Sequence, residues 1–154
     1  MLSISSLFAQ EEDGLLSDFL YNSRSFFVAG IAHQNIDGYS NAQALHVSYN
    51  YMSRYKWGFD VGYFQSFYEA ENQITGEKDN FSSAYLFVTY LVPLNKYMGF
   101  KSKAGYARNK SAEDGLGYGV DIIFQMTDNS GFSLGFHKMN EHINYFIVNT
   151  VYQF

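Results

Sequence analysis

At 154 residues the chain has single-domain length, and no proline-rich, serine-rich or charge-run linker divides it. Aromatic residues make up 19% of it while charged residues make up only 16%, below the roughly 25% of an ordinary soluble domain. The net charge of -5 without a basic stripe excludes nucleic-acid binding, and the lack of cysteine excludes disulfides and thiolate metal sites.

In chain order, Met1 to Ala9 is a short apolar stretch followed by Glu11, Glu12 and Asp13. It resembles the tail of an export signal, although a charged leading region is missing and Leu7 stands where a small residue is usual. An ordered N-terminus is the equal alternative. Leu15, Leu16, Phe19 and Leu20 are spaced for one face of a short amphipathic helix over 14–22.

From residue 24 onward the pattern changes to strict period two. Eight segments alternate, at 24–34, 42–52, 57–67, 82–92, 97–107, 116–126, 131–139 and 144–154. Each is close to the 9–11 residues that a tilted strand needs to cross a bilayer, and no continuous apolar run is long enough for a transmembrane helix. The fold class is therefore all-β: an eight-stranded antiparallel up-and-down transmembrane β-barrel. Short connections are expected at 53–56, 93–96 and 127–130. Those at 35–41, 68–81 and 108–115 are expected to be longer, and the one near 140–142 tight.

Sorting residues by parity separates two faces. One carries Leu45, Val47, Tyr49 and Tyr51, then Trp57, Phe59, Val61 and Tyr63, then Tyr118, Val120, Ile122 and Phe124, then Phe132, Leu134 and Phe136, all uncharged. The other carries His46, Ser48, Asn50, Asp60, Lys101, Lys103, Asp121 and His137 among glycines. An eight-stranded barrel is only just wide enough for side chains to fill it, so the bulky set is expected outside and the small and polar set inside. Trp57, Phe59, Tyr118, Ile122, Phe124 and Phe136 are then lipid-facing anchors. His46, Asp60, Lys101, Lys103, Asp121 and His137 form a lumenal polar network, paired because an unpaired buried charge costs several kcal/mol. The result is a plugged lumen without a continuous water channel. "SFFVAGIA" and "AYLFVTYLV" are apolar on both parities, which leaves the facing of the first and fourth segments open. Tyr51, Trp57, Tyr97, Tyr118 and Tyr152 fit interfacial aromatic girdles.

Other motifs carry weaker readings. "GLGYG" at 115–119 leads into a strand, which suits a crowded lumenal wall and not a nucleotide loop. Asn80-Phe-Ser82 and Asn109-Lys-Ser111 match a glycosylation pattern too common to carry weight. His46-Val47-Ser48 has the residue types of a serine nucleophile with its base, but both lie on the lumenal face, away from acyl chains. His33, Glu141 and His142 fall near the outer ends of strands that meet on closure, where solvated side chains are the default over a metal site. Glu69, Glu71, Glu77 and Asp79 make the longest loop acidic.

"YLVPLNKYMGFKSKAGYA", "GLGYGVDIIFQMTDNSGFSLGFH" and the closing "YFIVNTVYQF" resemble the small outer-membrane β-barrel family that includes the OmpA membrane domain and OmpX-like proteins. The resemblance covers 24–154; the preceding 1–23 are a candidate residual signal peptide with an N-terminal periplasmic segment, and their weak leader departs from the family pattern. The resemblance implies a Gram-negative outer-membrane location and insertion by the barrel-assembly machinery, with Tyr152 and Phe154 as the assembly signal. It also implies contact with lipopolysaccharide and other outer-membrane lipids, a monomer, no cofactor or metal, and a structural or surface-interaction role without catalysis. Two rivals remain: an outer-membrane enzyme modifying lipid A or phospholipid, and a soluble lipocalin-like carrier of apolar ligands.

Overall fold

The computed structural model describes residues 23–154. The candidate leader at 1–9 and the candidate helix at 14–22 lie outside the described residues. Ten strands follow: β1 (Arg24–Ile36), β2 (Ala42–Met52), β3 (Trp57–Ser66), β4 (Ala70–Glu71), β5 (Lys78–Asp79), β6 (Ser82–Asn95), β7 (Met98–Lys110), β8 (Gly115–Gln125), β9 (Ser130–Lys138) and β10 (Ile143–Gln153). Eight of them close into one antiparallel barrel in the order β1-β10-β9-β8-β7-β6-β3-β2, while β4 and β5 form a separate two-stranded ribbon. The barrel is thus the up-and-down meander that the alternating segments predict, and the 67–81 loop adds a small hairpin that they do not reveal.

Closure fixes the geometry of the wall. Stepping across paired residues from Ser25 through Tyr51, Phe59, Val88, Ala104, Tyr118, Lys138 and Asn144 returns to β1 at Asn35, ten residues further along. A shear of this size on eight strands tilts them by about 40° and lets each residue climb about 2.5 Å along the axis. Both ends of the barrel chain lie on one side, because Phe26 at the start of β1 pairs with Gln153 at the end of β10. That side also holds the short turns 53–56, 96–97 and 126–129, and the other side holds the loops 37–41, 67–81, 111–114 and 139–142.

Two boundaries differ from the alternation pattern. β6 runs through Pro93 to Asn95, where the expected turn was to begin, with a register shift between Pro93 and Asn95. Pro93 lacks a donor N–H, which a strand tolerates at such an irregularity. β7 extends to Lys110, so the third loop shrinks to 111–114, and only 67–81 is long.

The first and fourth segments take their facing from their neighbours. Phe26, Val28, Ala32 and Gln34 of β1 turn inward while Phe27 and Ile31 are exposed; in β6, Tyr85, Phe87, Thr89 and Leu91 turn inward while Leu86 and Val88 are exposed. The interior therefore holds more rings than the volume argument allows. Phe26, Phe64, Tyr85, Phe87 and Tyr145 are all buried inside. Tyr85 and Phe87 fit because glycines on other strands leave room. A Cβ at Gly62 would collide with the Tyr85 ring, and one at Gly117 would lie 2.9 Å from Phe87 Cζ.

Candidate functional site

The lumen is built in three levels along the axis. At its centre, Lys103 Nζ lies 2.6 Å from Asp60 Oδ2 and 2.6 Å from Asp121 Oδ2, and Lys101 Nζ lies 3.6 Å from Asp121 Oδ2. Lys101 also donates to Asn50 Oδ1 at 2.5 Å, and Asn50 Nδ2 donates to Asp60 Oδ1 (3.0 Å) and Ser48 Oγ (2.9 Å). Two ammonium groups and two carboxylates thus cancel in charge, and both carboxylates accept from more than one donor.

Histidines tie this ionic centre to the wall. His137 Nε2 lies 2.8 Å from Asp121 Oδ1. His46 reaches Asn149 Oδ1 through Nδ1 at 2.7 Å and the Tyr85 hydroxyl through Nε2 at 2.8 Å, and Tyr85 donates onward to Asp60 Oδ1 at 3.2 Å. Asn149 Nδ2 continues to Ser133 Oγ at 3.2 Å. Contributions come from β2, β3 and every strand from β6 to β10. The alternation explains this distribution, since each strand aims every second side chain at the axis and the registers bring Asn50 opposite Asp60 and Lys101 opposite Asp121.

Toward the loops the lumen turns aromatic. Phe64 is stacked between His46 (centroids 4.3 Å apart) and Tyr145 (3.9 Å), and Tyr85 stacks on Phe87 at 4.5 Å. The Tyr145 hydroxyl accepts from Gln34 Nε2 at 2.8 Å and lies 3.2 Å from Ser83 Oγ. Above it, Ala70, Phe81, Met139 and Ile143 from the loops and strand ends join the same apolar cluster and close the mouth. Toward the turns, Phe26, Val28, Met52, Leu91 and Val151 form a second apolar cluster. Between this lower cluster and the ionic centre lies a cavity of about 30 Å³, room for a water molecule or two.

The remaining sequence candidates are dispersed. Ser48 accepts a hydrogen bond from Asn50, and its partner histidine of the sequence motif, His46, bonds instead to Asn149 and Tyr85. His142 pairs with Asp37 at 3.2 Å in solvent, while His33 is exposed on the outer wall opposite Gln43 and Phe146. In the acidic loop, Asp79 accepts from the Tyr39 hydroxyl at 3.3 Å. Among the described residues no group of three or more His, Asp or Glu could hold a metal ion.

On the outer wall, Trp57 is 56% exposed and Tyr118 54%; Phe59 and Ile122 are exposed as well, and Phe124 and Phe136 are half-covered by ring partners. The partners are aromatic: Trp57 with Tyr90 (4.8 Å), Phe124 with Phe132 (4.6 Å) and Phe136 with Phe146 (5.0 Å). From Trp57 to Gln65, eight residues of tilted strand climb about 20 Å, close to the roughly 25 Å apolar band of membrane barrels. Charges on this wall begin at the loop end, with Arg108, Lys110 and Lys138. Tyr152 and the final Phe154 are exposed at the turn end, and Phe154 N donates to Ser25 O at 3.3 Å. The missed interior residues are Phe64, Tyr85, Phe87 and Tyr145; glycines on other strands make room for Tyr85 and Phe87.

Neither a family model nor a curated protein matches the chain. Solved structures do. The attachment invasion locus protein Ail of Yersinia pestis, in complex with the heparin analogue sucrose octasulfate, aligns over 86% of this chain and 99% of its own, at 17% identity and a TM-score of 0.63. A de novo designed transmembrane β-barrel aligns over 85% of this chain and 95% of its own, at 10% identity and a TM-score of 0.67. The outer membrane protein OprG of Pseudomonas aeruginosa aligns over 87% and 97%, at 10% identity and a TM-score of 0.61. The chain has the fold of the small eight-stranded outer-membrane barrels.

Proposed function

We propose that this chain is a bacterial outer-membrane protein with a structural or surface-interaction role and no chemistry of its own. The observation that carries the reading is the pairing of an uncharged aromatic outer band with a lumen filled by a charge-neutral network. A closed barrel satisfies every backbone group of its wall within the bilayer, so a band of this height is stable there and costly in water. The filled interior leaves no wet path for solutes. Its polar groups act on each other, which supports a network that fixes register over one that turns over a substrate.

In this reading Trp57, Phe59, Tyr118, Ile122, Phe124 and Phe136 are solvated by lipid, and Tyr152 and Phe154 mark the chain for the assembly machinery. The 67–81 loop would face the surroundings. Its four carboxylates against the single Lys78 disfavour a polysulfated ligand such as the one bound to Ail and favour a cationic surface partner. Cell fractionation with a heat-modifiability gel tests the assignment: the protein should follow the outer membrane and migrate faster unboiled than boiled. Recovery in the soluble fraction without detergent would revive the carrier reading. Unit conductance of porin size in a planar bilayer would contradict the sealed lumen.

A further inference from the structure

The two mouths of the barrel are closed differently. At the loop end, Ala70, Phe81 and Met139 fold over the lumen and cap its aromatic level. At the turn end the connections 53–56, 96–97 and 126–129 are too short to reach across. The lower apolar cluster is nevertheless just as well buried, with Phe26 and Met52 4% exposed and Leu91 2%. Among the described residues Ile123 of β8 is the one partly buried hydrophobic packed against it, and no turn residue joins. An apolar cluster at the open end of a barrel stays out of water only under a cover.

Two further features describe what would fit there. Gln125 Oε1 and Gln153 Oε1 are buried at the edge of this mouth, beside a small cavity shared with Phe26, Ile123 and Val151, and accept no hydrogen bond among the described residues. The charge is also one-sided. Arg24 begins β1 here, and Arg54, Lys56 and Lys96 stand in the turns against the single carboxylate of those turns, Asp128. The chain's own N-terminal residues match each need. In the helix that their spacing predicts, Leu15, Leu16, Phe19 and Leu20 share one apolar face, and Ser17, Tyr21 and Asn22 carry donors. Glu11, Glu12, Asp13 and Asp18 supply four carboxylates, with no lysine or arginine before Arg24. Only residues 21–23 separate Leu20 from Arg24, a span of at most about 14 Å, so the segment meets this mouth at high effective concentration.

We infer that residues 11–22 seat on the turn-end mouth as an intramolecular plug, with Leu15, Leu16, Phe19 and Leu20 turned onto the lower cluster and the acidic stretch against the basic turns. A helix of about nine residues is about 13 Å long and, at about 10–12 Å across with its side chains, lies over a filled lumen without entering it. The plug is independent of the surface role proposed above. Its consequence is a seal. The cavity of about 30 Å³ and Lys101 lie directly behind the lower cluster, so this contact decides whether water reaches the ionic centre from the turn side.

The sequence contains no cysteine, so one introduced thiol reports on the cover. Met52→Cys, or Val151→Cys should the first not refold, is reacted with a water-soluble maleimide in the full chain refolded in detergent micelles, with heat-modifiable migration as the check on the barrel. With the N-terminal segment intact the thiol should react about tenfold more slowly, or slower still, than after Leu16→Ser combined with Phe19→Ser, since each exchange removes a large apolar side chain from the contact. An exposed thiol from Tyr55→Cys should react equally in both backgrounds. Glu11→Gln with Glu12→Gln should give a smaller acceleration that high salt abolishes. Equal reaction rates at the mouth in both backgrounds would overturn the inference. So would quenching of a bimane at Phe19→Cys by brominated lipid chains, which would put the segment in the bilayer and off the mouth. Fractionation decides the outer-membrane reading separately.

Discussion

The inner and outer walls of this barrel are both rich in aromatic rings, yet they follow different rules. Outside, Trp57, Tyr118 and Phe154 are exposed, and on the outer-membrane reading proposed above they need only be large and uncharged, because lipid moulds itself around such residues. Inside, Tyr85 and Phe87 occupy places cleared by glycines on other strands, and the charges of Lys103, Asp60 and Asp121 face one another at hydrogen-bond distance. The lesson is that hydrophobic content does not distinguish the faces here; tolerance to change does.

Substitutions that treat both walls alike are the way to break this contrast. The largest effect is expected from Lys103→Met, which strands Asp60 and Asp121 without their shared ammonium and should cost about 3–5 kcal/mol in urea unfolding from lipid vesicles. Lys101 lies farther from both carboxylates and cannot replace it at 2.6 Å. On the outside the comparable insult is Val120→Arg, which puts a charge on the exposed outer wall and, on the proposed membrane reading, should cost about 2–4 kcal/mol if it lies near the midplane.

A gentler pair sharpens the comparison. Gly117→Ala adds one methyl group against the Phe87 ring and the Lys138 carbonyl, and should destabilise by about 1–3 kcal/mol through overpacking. Val88→Leu adds one methylene on the outer wall, where it is expected to stay within about 0.5 kcal/mol of wild type by the same unfolding assay. Equal costs for these two would mean that the walls do not differ as described.

Much of this was legible in the sequence, because period two is a local signal and a membrane barrel repeats it in every strand. Asp60, Lys101, Lys103 and Asp121 share a parity with glycines, and volume alone argues that such residues face inward. The two segments apolar on both parities needed their neighbours. Phe26 faces the lumen because it is paired with Asn50, and Phe87 because it is paired with Asp60; partners in register share a face. Phe64 and Tyr145 stayed hidden for the same reason, since the space that admits them depends on which residues of distant strands stand opposite. The β4–β5 hairpin is two residues per strand, too short for any periodicity to show.

The single tryptophan offers the most direct test of the central claim, that the bulky uncharged face looks into lipid. In vesicles of brominated phospholipid, the fluorescence of unmodified Trp57 should be strongly quenched, most by bromines placed near the headgroups, and should resist aqueous iodide. Quenching by iodide with no response to brominated chains would place Trp57 in water and contradict the account.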